Sequence, residues 1–246
     1  MFPSTEALRR DVARRLRRGE NMILYGPHGI GKTTLLRDLE TRRRTAGLPC
    51  GYVAETRSLE DILRALHEAY PLHDSVALDP EAALSRHWDT AELRGGALLL
   101  DHLTDVSNSM VRFLRRLRSG VMGIITAVDE ELDHENRKLQ PWRLAALSVK
   151  MPGASADLLR DLLRAQVSES GGVKLDEDTE RSLIRAAAGR PGWILECAQR
   201  LGEKHYWQGS QLFLSVICTD VEAVLRRDTP GLLSVGQDSP ATNRIK

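Results

Sequence analysis

The segment Gly26-Pro27-His28-Gly29-Ile30-Gly31-Lys32-Thr33 limits what this chain can fold into more than any other stretch. It fits the spacing G-x-x-x-x-G-K-[ST]. The short apolar run 22–25 before it reads as a buried strand, and Leu35, Leu36 and Leu39 after it recur at helical spacing over 33–44. A glycine-rich turn between a strand and a helix curls its backbone so that successive N–H groups face inward, and the helix adds the positive end of its dipole. Such a turn cradles phosphate. Lys32 reaches the β- and γ-phosphates of a nucleotide, and Thr33 sets its hydroxyl on Mg2+, a hard cation that prefers oxygen. Gly26, Pro27, His28, Gly29, Ile30, Gly31, Lys32, Thr33 and Thr34 are therefore the candidate nucleotide contacts.

The rest of the chain continues the same alternation. Apolar runs at 51–54, 97–100, 121–128 and 144–151 predict four more strands, and helical spacing covers 6–18, 59–69, 81–93 and 106–117, with a loop at 71–80. Strands alternating with helices predict a parallel α/β sheet of five strands, covered on both faces. Pro152 stops the fifth strand. Beyond it 156–167, 178–188, 193–202 and 210–227 read as helices, with no strand among them. The expected organisation is a P-loop α/β nucleotide-binding domain over 1–152, a helical lid over 153–228 and a flexible tail over 229–246.

A phosphate loop needs an acidic partner at the end of a neighbouring strand. Leu98-Leu99-Leu100-Asp101 supplies one. Asp101 holds Mg2+ through its water shell in this reading, the Walker B role; an Asp ending a strand can equally cap the next helix.

Composition excludes several classes. The 246 residues carry 35 Lys and Arg against 34 Asp and Glu, a net charge of +1, with 41% hydrophobic and 28% charged residues. That is neither a polybasic protein nor a disordered chain. Cys50, Cys197 and Cys218 form no metal-binding or disulfide pattern. The first 18 residues lack a signal peptide's apolar stretch, and no run approaches the ~18 apolar residues of a membrane span. A cytoplasmic protein without membrane contact is expected.

The wording GPHGIGKTTLL and LLLDHLTD resembles the AAA+ and STAND branch of P-loop ATPases, over roughly residues 1–228. The resemblance implies ATP and Mg2+ as cofactors, bound between a five-stranded sheet and a helical lid. His102 stands where many hydrolytic members carry a Glu that polarises the attacking water. Asp105 stands where STAND members place a second acid, and it serves equally as a cap for the helix near Val106. Thr126, in Ile124-Ile125-Thr126, resembles the sensor 1 position, although a Thr often simply ends a strand. Gly189-Arg190-Pro191 resembles the sensor 2 or GxP segment of the lid. There Gly189 and Pro191 also suit the end of one helix and the start of the next. Arg143 resembles the arginine finger that completes a neighbour's site, with Arg137 as competitor.

Charge is uneven along the chain. Residues 1–44 hold 11 basic and 5 acidic groups, whereas residues 45–110 hold 4 and 11. Three arginine groups stand out: Arg14, Arg15, Arg17 and Arg18; Arg42, Arg43 and Arg44; and Arg112, Arg115, Arg116 and Arg118. Arginine suits bidentate phosphate contacts, so double-stranded DNA is a candidate partner. The functional expectation is an ATP-hydrolysing, oligomerising helper on DNA, of initiator or mobile-element type. The alternatives are an ATP/ADP signalling switch acting on a separate protein partner, and a nucleotide-stabilised scaffold.

Overall fold

The five apolar runs become β1 (Met22–Gly26), β2 (Cys50–Val53), β3 (Gly96–Leu100), β4 (Met122–Asp129) and β5 (Leu147–Lys150). The computed structural model describes residues 3–70, 95–103, 107–117, 122–129, 146–169, 174–209 and 211–227. The expected loop at 71–80, helix at 81–93 and tail at 229–246 lie outside these, as do Asp105, Arg137 and Arg143. The strands form one sheet in the order β2-β3-β4-β1-β5, and every pairing is parallel. β1 is gripped on both edges, Met22 aligning with Ile125 of β4 and Leu147 of β5.

Period-two alternation sorts each strand into two cores. On one face Leu98, Leu100, Ile124 and Val128 meet Ile62 and Leu66 of α3 (Leu59–Ala69) and Phe113 and Leu114 of α4 (Asn108–Leu117). On the other, Leu24, Leu99 and Ile125 meet Val12 and Leu16 of α1 (Pro3–Arg17) and Leu35, Leu36 and Leu39 of α2 (Lys32–Thr45). Helix α3 begins with a capping box. The Asp61 N–H donates to the Ser58 hydroxyl at 3.2 Å, and the Ser58 N–H donates to the Asp61 carboxylate at 2.9 Å.

The C-terminal region is built from α5 (Ala156–Glu169), α6 (Glu177–Ala187), α7 (Pro191–Arg200) and α8 (Leu214–Arg227) around Leu163, Leu183, Trp193 and Ile217. Arg160 and Arg164 of α5 both donate to Glu180 of α6, at 3.0 and 2.9 Å. The sequence predicts no strand here, and the structure corrects that. β6 (Trp207–Gln208) pairs antiparallel with β7 (Gln211–Leu212), and α8 starts at Leu214 instead of near 210. Strands of two residues are too short for hydrophobic period to register. The turn between them contains Gly209 at φ +61°, a left-handed backbone. Burial pushes the thiols of Cys50 and Cys197 up to about 11 and about 12, so both stay protonated near neutrality.

Gly123 of β4 lies under α1. A Cβ there would come within 2.8 Å of the Leu16 carbonyl and 2.7 Å of its Cδ1. Gly123→Ala is therefore expected to cost about 1–3 kcal/mol, read as a lower urea midpoint at unchanged slope. Gly202→Ala, with open space around it, should leave the midpoint nearly in place.

Candidate functional site

The carboxyl ends of β1 and β3 carry the two motifs, at the edge where open parallel sheets bind ligands. After β1 the backbone turns through Gly26, Gly29 and Gly31, at φ +153°, +76° and +105°. Gly31 is the left-handed N-cap of α2, and no side chain caps that helix. Its first N–H groups remain facing the loop. Ile30 is buried beneath the turn and anchors it. Lys32 is only 7% exposed. Its Nζ donates to the carbonyls of Gly26 at 2.7 Å and Pro27 at 3.2 Å, which draws the ammonium over the loop mouth. Thr33 and His28 are half-buried, and Thr34 is exposed.

Asp101 is fully buried and follows β3 directly. Alternation puts it on the same face as Ala97 and Leu99, the α2 side of the sheet. Its Oδ1 accepts the His102 N–H at 3.0 Å, and its Oδ2 accepts the Tyr52 hydroxyl at 3.1 Å. Tyr52 in turn accepts from Arg37 Nε at 3.5 Å. Burial raises the Tyr52 pKa, which keeps the phenol a donor. The Asp101 backbone is fixed as well. Its N–H donates to Val53 at 2.8 Å, and its carbonyl accepts the Thr56 hydroxyl at 3.0 Å.

His102 closes the gap between the two motifs. Its Nε2 lies 3.4 Å from Thr33 Oγ1 and 3.9 Å from Asp101 Oδ1. Its backbone is left-handed at φ +46°, a conformation that non-glycine residues seldom adopt. Lys32, Thr33 and Asp101 are thus brought to one edge of the sheet, with His102 between the last two. The pairing of Tyr52, Arg37 and His102 with this edge was not readable as a motif, since the contacts span 15 to 69 residues.

Thr126 is placed elsewhere. It is fully buried and aligns with Ile23 and Leu100, three positions below Gly26 on β1. Its strand neighbours Ile124 and Val128 lie in the α3–α4 core, so its parity points away from the loop, and its Oγ1 donates to the Met22 carbonyl at 3.5 Å. Asp129 is the β4 residue level with Gly26.

The helical region meets the loop through close backbone contacts at Gly29. The Gly192 N–H donates to the Gly29 carbonyl at 2.9 Å. A Cβ on Gly192 would sit 2.8 Å from Gly29 Cα, and one on Gly189 would sit 2.9 Å from Gly153 Cα. Between these two glycines, Pro191 opens α7 as its first residue. Arg190 turns into the helical region, where its guanidinium pairs with Glu222 at 2.5 and 3.1 Å and its Nε donates to the Ala187 carbonyl. That guanidinium holds the Glu222 carboxyl below its ordinary range.

A family model, the AAA ATPase domain, matches residues 4–204. The chain belongs to that family. No curated protein sequence matches it. Among solved structures this AAA ATPase is similar to the Aeropyrum pernix ORC1 protein in complex with DNA. The identity is 21% and the TM-score 0.56, over 93% of this chain and 67% of that one. Domain III of the Thermotoga maritima replication initiation protein DnaA aligns over 93% of both chains at 15% identity and TM-score 0.51. A replication initiator DnaA bound to AMPPCP and single-stranded DNA aligns at 16% identity and TM-score 0.52, over 82% of this chain and 61% of that one. At these identities the likeness is one of fold: a P-loop sheet followed by a helical region. Among the described residues no helix is long and apolar enough to cross a membrane.

The glycine junction is testable. Gly192→Ala improves helix propensity by about 1 kcal/mol yet places a methyl against Gly29. Amide exchange in residues 26–31 is expected to rise roughly tenfold in the variant, as opening of the junction becomes easier by about 1.4 kcal/mol.

Proposed function

We propose that this AAA ATPase binds and hydrolyses ATP with Mg2+ at the 26–34 loop, and that it works as a nucleotide-dependent, oligomerising helper on DNA. The observation that supports the first part best is the convergence of Lys32, Thr33 and Asp101 on one sheet edge. The donor set there, a hydroxyl and a carboxylate, fits a hard divalent cation. Thr33 and Asp101 would hold that cation, which supplies charge neutralisation on the transferring phosphoryl group. Lys32 is the phosphate ligand, because charged phosphate oxygens are stronger acceptors than the two loop carbonyls it now contacts. Asp105 is the acid proposed to position water, and Arg143 the residue proposed to act on a neighbour's site. In Lys32→Ala, fluorescent-nucleotide titration should show ATP affinity lower by roughly 10–100-fold. Asp105→Ala should keep ATP affinity and lose turnover. Turnover equal to wild type in Asp105→Ala rules out that role.

Arg17 of the first arginine group and Arg42 and Arg43 of the second, joined by Arg9 and Arg10, support the DNA part. Arg9, Arg10 and Arg17 of α1 and Arg42 and Arg43 of α2 line a groove of about 630 Å³. Carboxylates within reach are shared, Glu6 between Arg9 and Arg10 and Asp38 between Arg9 and Arg42, so guanidinium is in excess. Arg112 and Arg115 lie on α4, in the opposite layer. Duplex binding followed by anisotropy should fall steeply with salt. The combined change Arg10→Glu, Arg17→Glu and Arg42→Glu should abolish it, whereas Arg112→Glu with Arg115→Glu should spare it. Absence of salt-sensitive binding in wild type, with and without a non-hydrolysable ATP analogue, removes DNA as the partner.

The backbone bond from Gly192 to Gly29 favours a second reading, an ATP/ADP switch read by a protein partner. A stable partner captured without DNA would support it.

A further inference from the structure

We infer that His102 is itself a ligand of the divalent cation, and that this chain's nucleotide site favours transition ions such as Mn2+ over Mg2+. The inference rests on Thr33 and Asp101 holding the cation as proposed above, here with Asp101 Oδ1 in direct contact with the ion and not through its water shell. In an octahedral shell with donors about 2.1 Å from the ion, neighbouring donors are about 3 Å apart and opposite donors about 4.2 Å apart. His102 Nε2 lies 3.4 Å from Thr33 Oγ1 and 3.9 Å from Asp101 Oδ1, within that range for both. The imidazole nitrogen is thus close enough to each of the two groups to share a coordination shell with it.

Three features make this a built arrangement. The left-handed φ of +46° folds the chain back immediately after Asp101 and carries the ring toward Thr33. The His102 N–H simultaneously donates to Asp101 Oδ1, so the backbone that orients the ring also orients the carboxylate. Tyr52 holds the other carboxylate oxygen, leaving Oδ1 on the imidazole side. Neutral imidazole with its proton on Nδ1 presents a lone pair at Nε2. First-row transition ions accept an imidazole ligand more readily than Mg2+, which keeps oxygen ligands and water, and Mn2+ is the weakest binder among them.

The test is made on the whole chain with ADP and Mn2+ as the probe. Pulsed electron paramagnetic resonance of the Mn2+–ADP complex should show a coupled ¹⁴N nucleus, lost in His102→Gln and in His102→Asn. Asparagine tolerates the left-handed backbone, so this variant keeps the turn. The ratio of ADP dissociation constants measured with Mg2+ and with Mn2+ should fall about tenfold in both variants. A wild-type spectrum without nitrogen coupling, or an unchanged ratio, overturns the inference. Asp101→Asn separates the two levels. Weaker Mn2+ binding in that variant with an unchanged ratio in His102→Asn leaves Thr33 and Asp101 as ligands without the histidine. Unchanged Mn2+ binding in Asp101→Asn removes the whole cation assignment.

Discussion

The phosphate loop depends on β1 being held from both sides. Backbone bonds to β4 and β5 leave the strand no lateral freedom, and the Met151 N–H, donating to Tyr25 at 2.9 Å, extends that grip to the last turn. Everything from Gly26 to Lys32 must therefore be accommodated in the loop itself. Glycines at 26, 29 and 31 supply the three backbone conformations that side chains resist. Burying an ammonium without partners would be costly, and Lys32 avoids this by bonding to the first two carbonyls of the loop it closes. A rigid strand end, a permissive turn and a lysine folded back over both make one mechanical unit.

That unit is joined to the helical region at Gly29. Gly29 serves the turn through its positive φ and the junction through its carbonyl, so the loop cannot reshape at Gly29 without disturbing the start of α7. The Gly189-Arg190-Pro191-Gly192 segment works as one device. Its outer glycines let backbones approach Gly153 and Gly29, Pro191 starts α7, and Arg190 ties the segment inward to Glu222 of α8. The arginine thus stiffens the element that meets the loop without reaching the loop itself.

Strands β1 to β4 were legible because each lies within an apolar run, β5 (Leu-Ser-Val-Lys, largely exposed) because of the apolar residues on either side of it, and the loop because its glycine spacing has few other uses. The 207–212 hairpin was not, since two-residue strands carry no period. Thr126 shows a subtler gap. Its place along β4 was readable, but its face depends on the register of β3 against β4, which aligns Leu100 with Thr126 and so puts Asp101 and Thr126 on opposite sides of the sheet. Contacts such as Arg190 with Glu222, or His102 with Thr33, join residues 32 and 69 positions apart and exist only once the chain is folded.

Folding redistributes the charge that the sequence carries. Eleven basic groups among residues 1–44 suggest a strongly positive face, yet Arg14 and Arg15 spend themselves on Asp11, and Arg44 on Glu40, within single helical turns. Such exposed pairs contribute little stability but cancel field at a distance. What survives is local. Around the α1–α2 groove Arg9, Arg10 and Arg42 share two carboxylates, Arg43 is buried and donates to the Pro49 and Gly95 carbonyls, and among the described residues no carboxylate pairs with Arg17. A chain with a formal charge of +1 can therefore still present a concentrated cationic cleft, because α1 and α2 each carry more arginines than carboxylates and face each other across it.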